Sequence, residues 1–236
     1  MNTTPSNQAS ALDSSVGELV AQRPGRARVF EHFEIDYCCH GAQSLREACK
    51  EKGIESEKVL AQLEAEQQEK KTDLNPADLR LDALARYIVD THHGFLQREL
   101  PRLHQLAAKV ADVHGANHPY LVELRGVFEG LEAELVSHLA KEENILFPMI
   151  TAMGSGQPAP NWIEGPINQM MHEHESAGAA LARMRVLTDG YSLPEDACNS
   201  YRALFAGLRE MEEDLHRHIH LENTVLFPGT KAMAGR

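Results

Sequence analysis

The sequence predicts an all-α fold, an up-down four-helix bundle preceded by a small helical N-terminal domain, and three observations predict it. Four long segments after residue 78 carry apolar residues at helical spacing with short connections between them. The first 70 residues break into short helices with caps. One pattern, His-x-x-x-Glu running into Leu-Phe-Pro, is written twice in the second half of the chain.

Residues 1–13 are polar and are expected to form a disordered tail. Asp13, Ser14 and Ser15 offer an N-cap to a short helix, VGELVAQ, that stops at Pro24. PGRARVFEHF makes a second helix with Val29, Phe30 and Phe33 on its apolar side. Asp36 to Gly41 read as a turn, and Ser44 with Glu47 three residues on fits a capping box for a third helix, which Gly53 closes. Ser56 opens a fourth, with Val59, Leu60 and Leu63 turned inward, and its charge-rich end becomes a linker. The expected boundaries are thus a tail over 1–13, a helical domain over 14–70, a linker over 71–77 and the bundle over 78–236. A unit of about 60 residues is marginal on its own. It is expected to lean on the larger domain or on a partner chain, which leaves room for a homodimer.

The first long helix is expected over about 78–112, with Pro101 as a kink and His92 and His93 in its middle. The turn HGANHP leads to a second helix that starts near Pro119 and runs to about Met153. A third follows near 163–188 and a fourth near 195–226. Four such helices make a bundle about 45 Å long that can hold metals between facing helices.

The repeated pattern carries the chemistry. HLAKEENILFPMI (138–150) overlays HIHLENTVLFPGT (218–230), with His218 on His138, Glu222 on Glu142 and Pro228 on Pro148. Residues four apart share a helix face, so each copy aims an imidazole and a carboxylate at one spot. A lone copy is more simply a polar stripe on an amphipathic helix; repetition overturns that reading. The repeat also reaches back, since His93 precedes His138 by 45 residues and His174 precedes His218 by 44. Four His and two Glu on four helices suit a pair of iron, manganese or zinc ions, one oxygen of each Glu going to each ion.

The same spacing sorts the other histidines. His172 and His174 lie about 200° apart around a helix, so only one faces inward, and the repeat selects His174. It likewise selects His93 over His92. His216 and His220 fall outside the repeat and are read as solvated or adjacent to the site, while His32, His40, His104 and His118 are read as surface residues. Spacing leaves His114 open, because a loop histidine could close an open metal position.

Composition sets limits. The net charge of −12 argues against a nucleic-acid or anionic-membrane surface. No stretch approaches the roughly 20 apolar residues of a membrane span, and the polar start lacks the apolar core of a signal peptide, so a cytoplasmic protein is expected. Four Cys in this setting read as reduced thiols. A disulfide between the adjacent Cys38 and Cys39 would close a strained ring, which leaves redox or metal handling against ordinary packing for that pair. Cys49 and Cys198 fall in helical patterns and are read as core.

These residues resemble the repair-of-iron-centres family, the YtfE/ScdA/DnrN proteins, over nearly the whole chain after the first dozen residues. The resemblance rests on DYCC (Asp36 to Cys39), LP at Leu100 and Pro101, VHG at Val113 to Gly115, HLAKEENILFPMI, EHESAG at Glu173 to Gly178, and HIHLENTVLFP. It implies a hemerythrin-like bundle with a non-haem di-iron centre. Its implied ligands are His93, His114, His138, Glu142, His174, His218 and Glu222, with Glu142 and Glu222 bridging two irons per chain. It also implies a small N-terminal domain in which Cys38 and Cys39 carry a thiol role. The implied function is repair of iron–sulfur clusters damaged by nitric oxide or oxidants, with damaged iron–sulfur proteins and nitric oxide as partners. A nitric oxide or oxygen binding or sensing protein without repair is the alternative, and nitric oxide reduction would make the chain an enzyme. True hemerythrins bring two His four apart on their third helix and, on the last, a His followed five residues on by Asp. Here Gly178 follows His174 by four and the last helix carries His218-x-x-x-Glu222, so reversible oxygen carriage is not expected.

Overall fold

The computed structural model describes residues 11–66 and 75–235, which are helical apart from turns, loops and one isolated bridge between Ser15 and Ser44. The first ten residues of the expected tail and most of the expected linker lie outside the described residues. Ala11, Leu12 and Asp13, expected to be disordered, are helical, and Asp13 accepts hydrogen bonds from Arg46 at 3.0 and 3.2 Å. No helix among the described residues is long and apolar enough to cross a membrane. The chain divides into two compact units, Met1–Leu84 with His216–Arg236, and Ala85–Leu215.

In the first unit the short helices are α1 (Val16–Gln22), α2 (Arg26–His32), α3 (Leu45–Lys52) and α4 (Ser56–Glu66). Their ends follow from local chemistry. The Ser15 hydroxyl accepts the Glu18 N–H at 3.1 Å, Ser44 and Glu47 form the full capping box, and Gly53 ends α3 at φ 67°, where a Cβ would be strained. Helices α1 and α2 pack together, as do α2 with α4 and α3 with α4, over a core that includes Phe30, Leu45 and Val59.

The C-terminal part of the chain completes this unit, because α1 packs on the turn Glu222–Leu226. That approach depends on Gly17, whose N–H reaches the Gly41 carbonyl at 2.8 Å. A Cβ there would meet Gly41 O at 2.9 Å and Thr224 Oγ1 at 3.0 Å. The expected result of Gly17→Ala is a loss of about 1–3 kcal/mol, read as faster hydrogen exchange across α1 and a lower melting temperature.

The second unit holds most of the long helices: the end of α5 (Leu81–Ile88), α6 (Gly94–His114), α7 (Tyr120–Lys141), α8 (Phe147–Gly154), α9 (Glu164–Leu187) and the greater part of α10 (Asn199–Leu221). After α10 the chain continues as α11 (Phe227–Ala234) in the first unit. Helix α7 packs against both α6 and α9. Each buries one stripe in steps of three and four: Leu96, Leu100, Leu103, Ala107, Val110 on α6; Leu121, Leu124, Phe128, Leu131, Leu135 on α7; Ile167, Met170, Ala177, Leu181, Met184 on α9. His138 continues the α7 stripe and His174 fills the missing place in the α9 stripe. The candidate ligands are therefore core positions with polar side chains.

Three π-helical turns interrupt the helices, at Val89–His93, Glu142–Leu146 and Glu222–Leu226, and each begins or ends on a candidate ligand. In the first, the widened turn makes the step from Ile88 to His93 five residues instead of four. Both His92 and His93 are buried, and it is His93, the residue that the repeat selects, that reaches Glu142. The helix runs on through Pro101 to His114.

Candidate metal centre

In the second unit His93, His138, Glu142 and His174 are buried and converge. His93 Nε2 lies 3.3 Å and His138 Nε2 3.4 Å from Glu142 Oε2, and His174 Nε2 lies 3.3 Å from His138 Nε2. The outer ring nitrogens are fastened. His93 Nδ1 is 2.8 Å from Glu143 Oε1, and His138 Nδ1 is 2.9 Å from Glu173 Oε2. Each carboxylate is placed to accept the Nδ1 proton, and a ring so fastened in its neutral form presents its Nε2 lone pair inward.

Inside the site those lone pairs face a Glu142 oxygen, and His138 Nε2 also faces His174 Nε2. Acceptors opposed at such distances in a dry interior call for a cation between them. A set of imidazole nitrogens and a carboxylate suits a borderline divalent metal, and this buried His/Glu group fits one. Glu173 is built to stay ionised: partial burial pushes its pKa up, but hydrogen bonds from Lys141, Gln169 and His138 outweigh that and bring it down to about 2. Sequence reading missed Glu143 and Glu173, since a Glu on a helix face has no distinguishing spacing. Removing either by Glu143→Ala or Glu173→Ala should weaken metal binding about 10- to 100-fold, measured by competition with a chelator, while the helical content stays.

The first unit holds the second copy of the motif. His218 Nε2 lies 3.2 Å from Glu222 Oε1, and both side chains are buried. The cysteine segment belongs to the same unit. The Asp36 carboxylate accepts the backbone N–H groups of Cys38 and Cys39, each at 2.9 Å, and lies 3.3 Å from Cys38 Sγ. The two sulfurs are 3.8 Å apart, and none of the four cysteines is in a disulfide. The Cys39 sulfur, burial and the Asp36 charge all push the Cys38 thiol well above its ordinary pKa, so Cys38 holds its proton and the less buried Cys39 is the more accessible sulfur. Donor atoms of Asp36, Cys38 and Cys39 lie within 4.8 Å of one another.

This segment is tied to the helix that carries the second motif. His220 Nδ1 donates to the Tyr37 carbonyl at 3.3 Å and Asn223 Nδ2 to the Cys38 carbonyl at 3.2 Å. His220, expected to be solvated or adjacent to the site, is buried, and burial lowers its pKa to about 4. The neutral ring is the one that can donate from Nδ1 and stay in a dry contact.

Two sequence expectations are corrected. His114, expected as a ligand from a loop, is the last residue of α6, about 32 Å along the helix from His93, so it cannot share a metal with that residue. Its Nε2 lies 3.2 Å from Cys198 Sγ and its ring packs on Tyr201. Cys198, expected in the core, is exposed and precedes α10. The remaining histidines sort by burial: His172 is exposed, and His92 is buried with Nδ1 2.9 Å from Asp214 Oδ1.

Comparison with known proteins gives two family matches, an ScdA_N domain of unknown function over residues 12–67 and a hemerythrin HHE cation-binding domain over residues 84–229. The chain is 38% identical over 220 residues to the iron–sulfur cluster repair protein YtfE of Musicola paradisiaca, covering 92% of this chain and 95% of that one. It is 39% identical over 223 residues to YtfE of Pectobacterium atrosepticum, covering 92% and 96%. It is also 31% identical over 215 residues to the iron–sulfur cluster repair protein ScdA of Staphylococcus haemolyticus, covering 91% and 96%.

Proposed function

Because the chain belongs to the YtfE/ScdA family of iron–sulfur cluster repair proteins, with a hemerythrin-like helical domain and a small ScdA-type helical region before it, we propose that it restores iron–sulfur clusters damaged by nitrosative or oxidative stress. Its targets are then damaged iron–sulfur proteins, and the iron that it carries is the cargo. His93, His138 and His174 with Glu142, and His218 with Glu222, are the residues that would hold two irons. The thiols of Cys38 and Cys39 take part in transfer.

The observation that carries this reading is the inward-facing set of acceptors at Glu142, where two imidazoles with fastened outer nitrogens turn lone pairs toward one carboxylate. The repeated motif supports adding His218 and Glu222, since the same residues at the same spacing are buried in the same way. Bound iron would supply redox change and affinity for nitric oxide. The chain's residues hold the ions in a dry interior, fix the imidazole tautomers and present an accessible sulfur at Cys39. Imidazole and carboxylate ligands without thiolates bind ferrous iron less tightly than a thiolate cage, which suits delivery.

The test is reactivation of an iron–sulfur enzyme that nitric oxide has inactivated. Iron-loaded protein should restore activity faster than the same amount of free ferrous iron, and metal-free protein should not. Nitric oxide binding with no reactivation would support the sensing alternative.

A further inference from the structure

The residue pair that falls outside the metal site has chemistry of its own. Cys198 immediately precedes α10, and its carbonyl accepts the Arg202 N–H at 3.0 Å. His114 Nε2 lies 3.2 Å from the Cys198 sulfur, and the His114 ring is held by the Tyr201 ring at 5.3 Å between centroids. An imidazole at the end of α6 thus meets an exposed sulfur at the start of α10. An ordinary structural cysteine is buried among apolar groups, as Cys49 is.

We propose that Cys198 and His114 form a reactive thiol–imidazole pair, a site of reversible thiol–disulfide exchange with low-molecular-weight disulfides, separate from the metal centre and from Cys38 and Cys39. His114 Nε2 takes the thiol proton. The Cys198 sulfur then attacks one sulfur of the disulfide, a new S–S bond forms as the old one breaks, and the departing thiolate recovers a proton. One disulfide and one thiol are consumed, and one mixed disulfide and one thiol are produced, so no further oxidant is needed.

The electrostatics run the same way. The amide of Tyr201 first, then the His114 imidazole, hold the Cys198 thiol below its usual pKa, whereas burial and its neighbours hold Cys38 above. The two cysteine sites therefore differ in readiness for exchange. Cys198 also lies within the second unit, whereas the vicinal pair lies in the first.

The test uses the iron-loaded full chain, glutathione disulfide as the probe and peptide mapping by mass spectrometry to locate each adduct. At neutral pH Cys198 should be modified first, at about five to ten times the rate of an ordinary exposed thiol, with the midpoint of its pH–rate profile below the usual value for cysteine. His114→Gln should slow modification about fivefold and move that midpoint upward, while iron content stays that of the parent. The pH–rate profile of the parent needs no variant and stands alone should His114→Gln fold poorly. A Cys198 that reacts at the rate and pH midpoint of an unperturbed thiol, or a rate that His114→Gln leaves unchanged, would overturn the proposal.

Discussion

Glu142→Ala should lower bound iron from about two per chain to below one, with the helices intact. The carboxylate lies within 3.4 Å of imidazole nitrogens from two different helical segments. Removing it leaves His93 and His138 with lone pairs inward and one carboxylate fewer to offset divalent charge in a dry site. The fold has little to lose, because the stripes above the site on α6, α7 and α9 are wholly apolar and remain packed. Glu222→Ala should do the same, which tests the proposal that the second copy of the motif supplies ligands to the same centre. Iron measured per chain, with circular dichroism alongside, decides both. A variant that keeps two irons and the parent spectrum rules out a bridging role for that glutamate.

The second large effect separates holding iron from passing it on. Every proposed metal ligand lies outside the cysteine segment, so Cys38→Ser with Cys39→Ser should keep both irons and lose at least about tenfold in the rate of cluster restoration per bound iron. A serine hydroxyl is a poor stand-in for a thiolate as nucleophile or soft ligand. The structure gives the single variants different weights: Cys38 is buried and holds its proton, so Cys39→Ser should account for most of the loss. Asn223→Ala removes the contact to the Cys38 carbonyl and provides a control for segment position with both sulfurs present. Undiminished restoration in the double variant removes the thiols from the mechanism; loss of iron in it contradicts the division of labour.

Much of this was legible because local rules carry it. The capping box at Ser44, the stop at Gly53 and the long amphipathic stripes are written within a few residues of where they act. The doubled His-x-x-x-Glu was legible because two residues of one helix turn make half a site. What escaped lies beyond that range. The π-helical turn that ends on His93 has no periodic signature, and His92 is buried there beside His93. Pairing of Glu143 and Glu173 with ring nitrogens joins residues 50 and 35 positions apart, and the hold on the cysteine segment by His220 and Asn223 spans 183 and 185 positions. His114 shows the opposite failure: its neighbourhood reads as a loop, but α6 continues to that residue and carries it to the far end.

The most direct measurement is the metal content of the protein purified without chelator, taken together with its visible spectrum. About two irons per chain, with the charge-transfer bands of a bridged iron pair, is the expected result. Zinc or manganese in place of iron, or less than one metal ion per chain after anaerobic loading with ferrous iron, would contradict a di-iron centre and the repair function proposed from it.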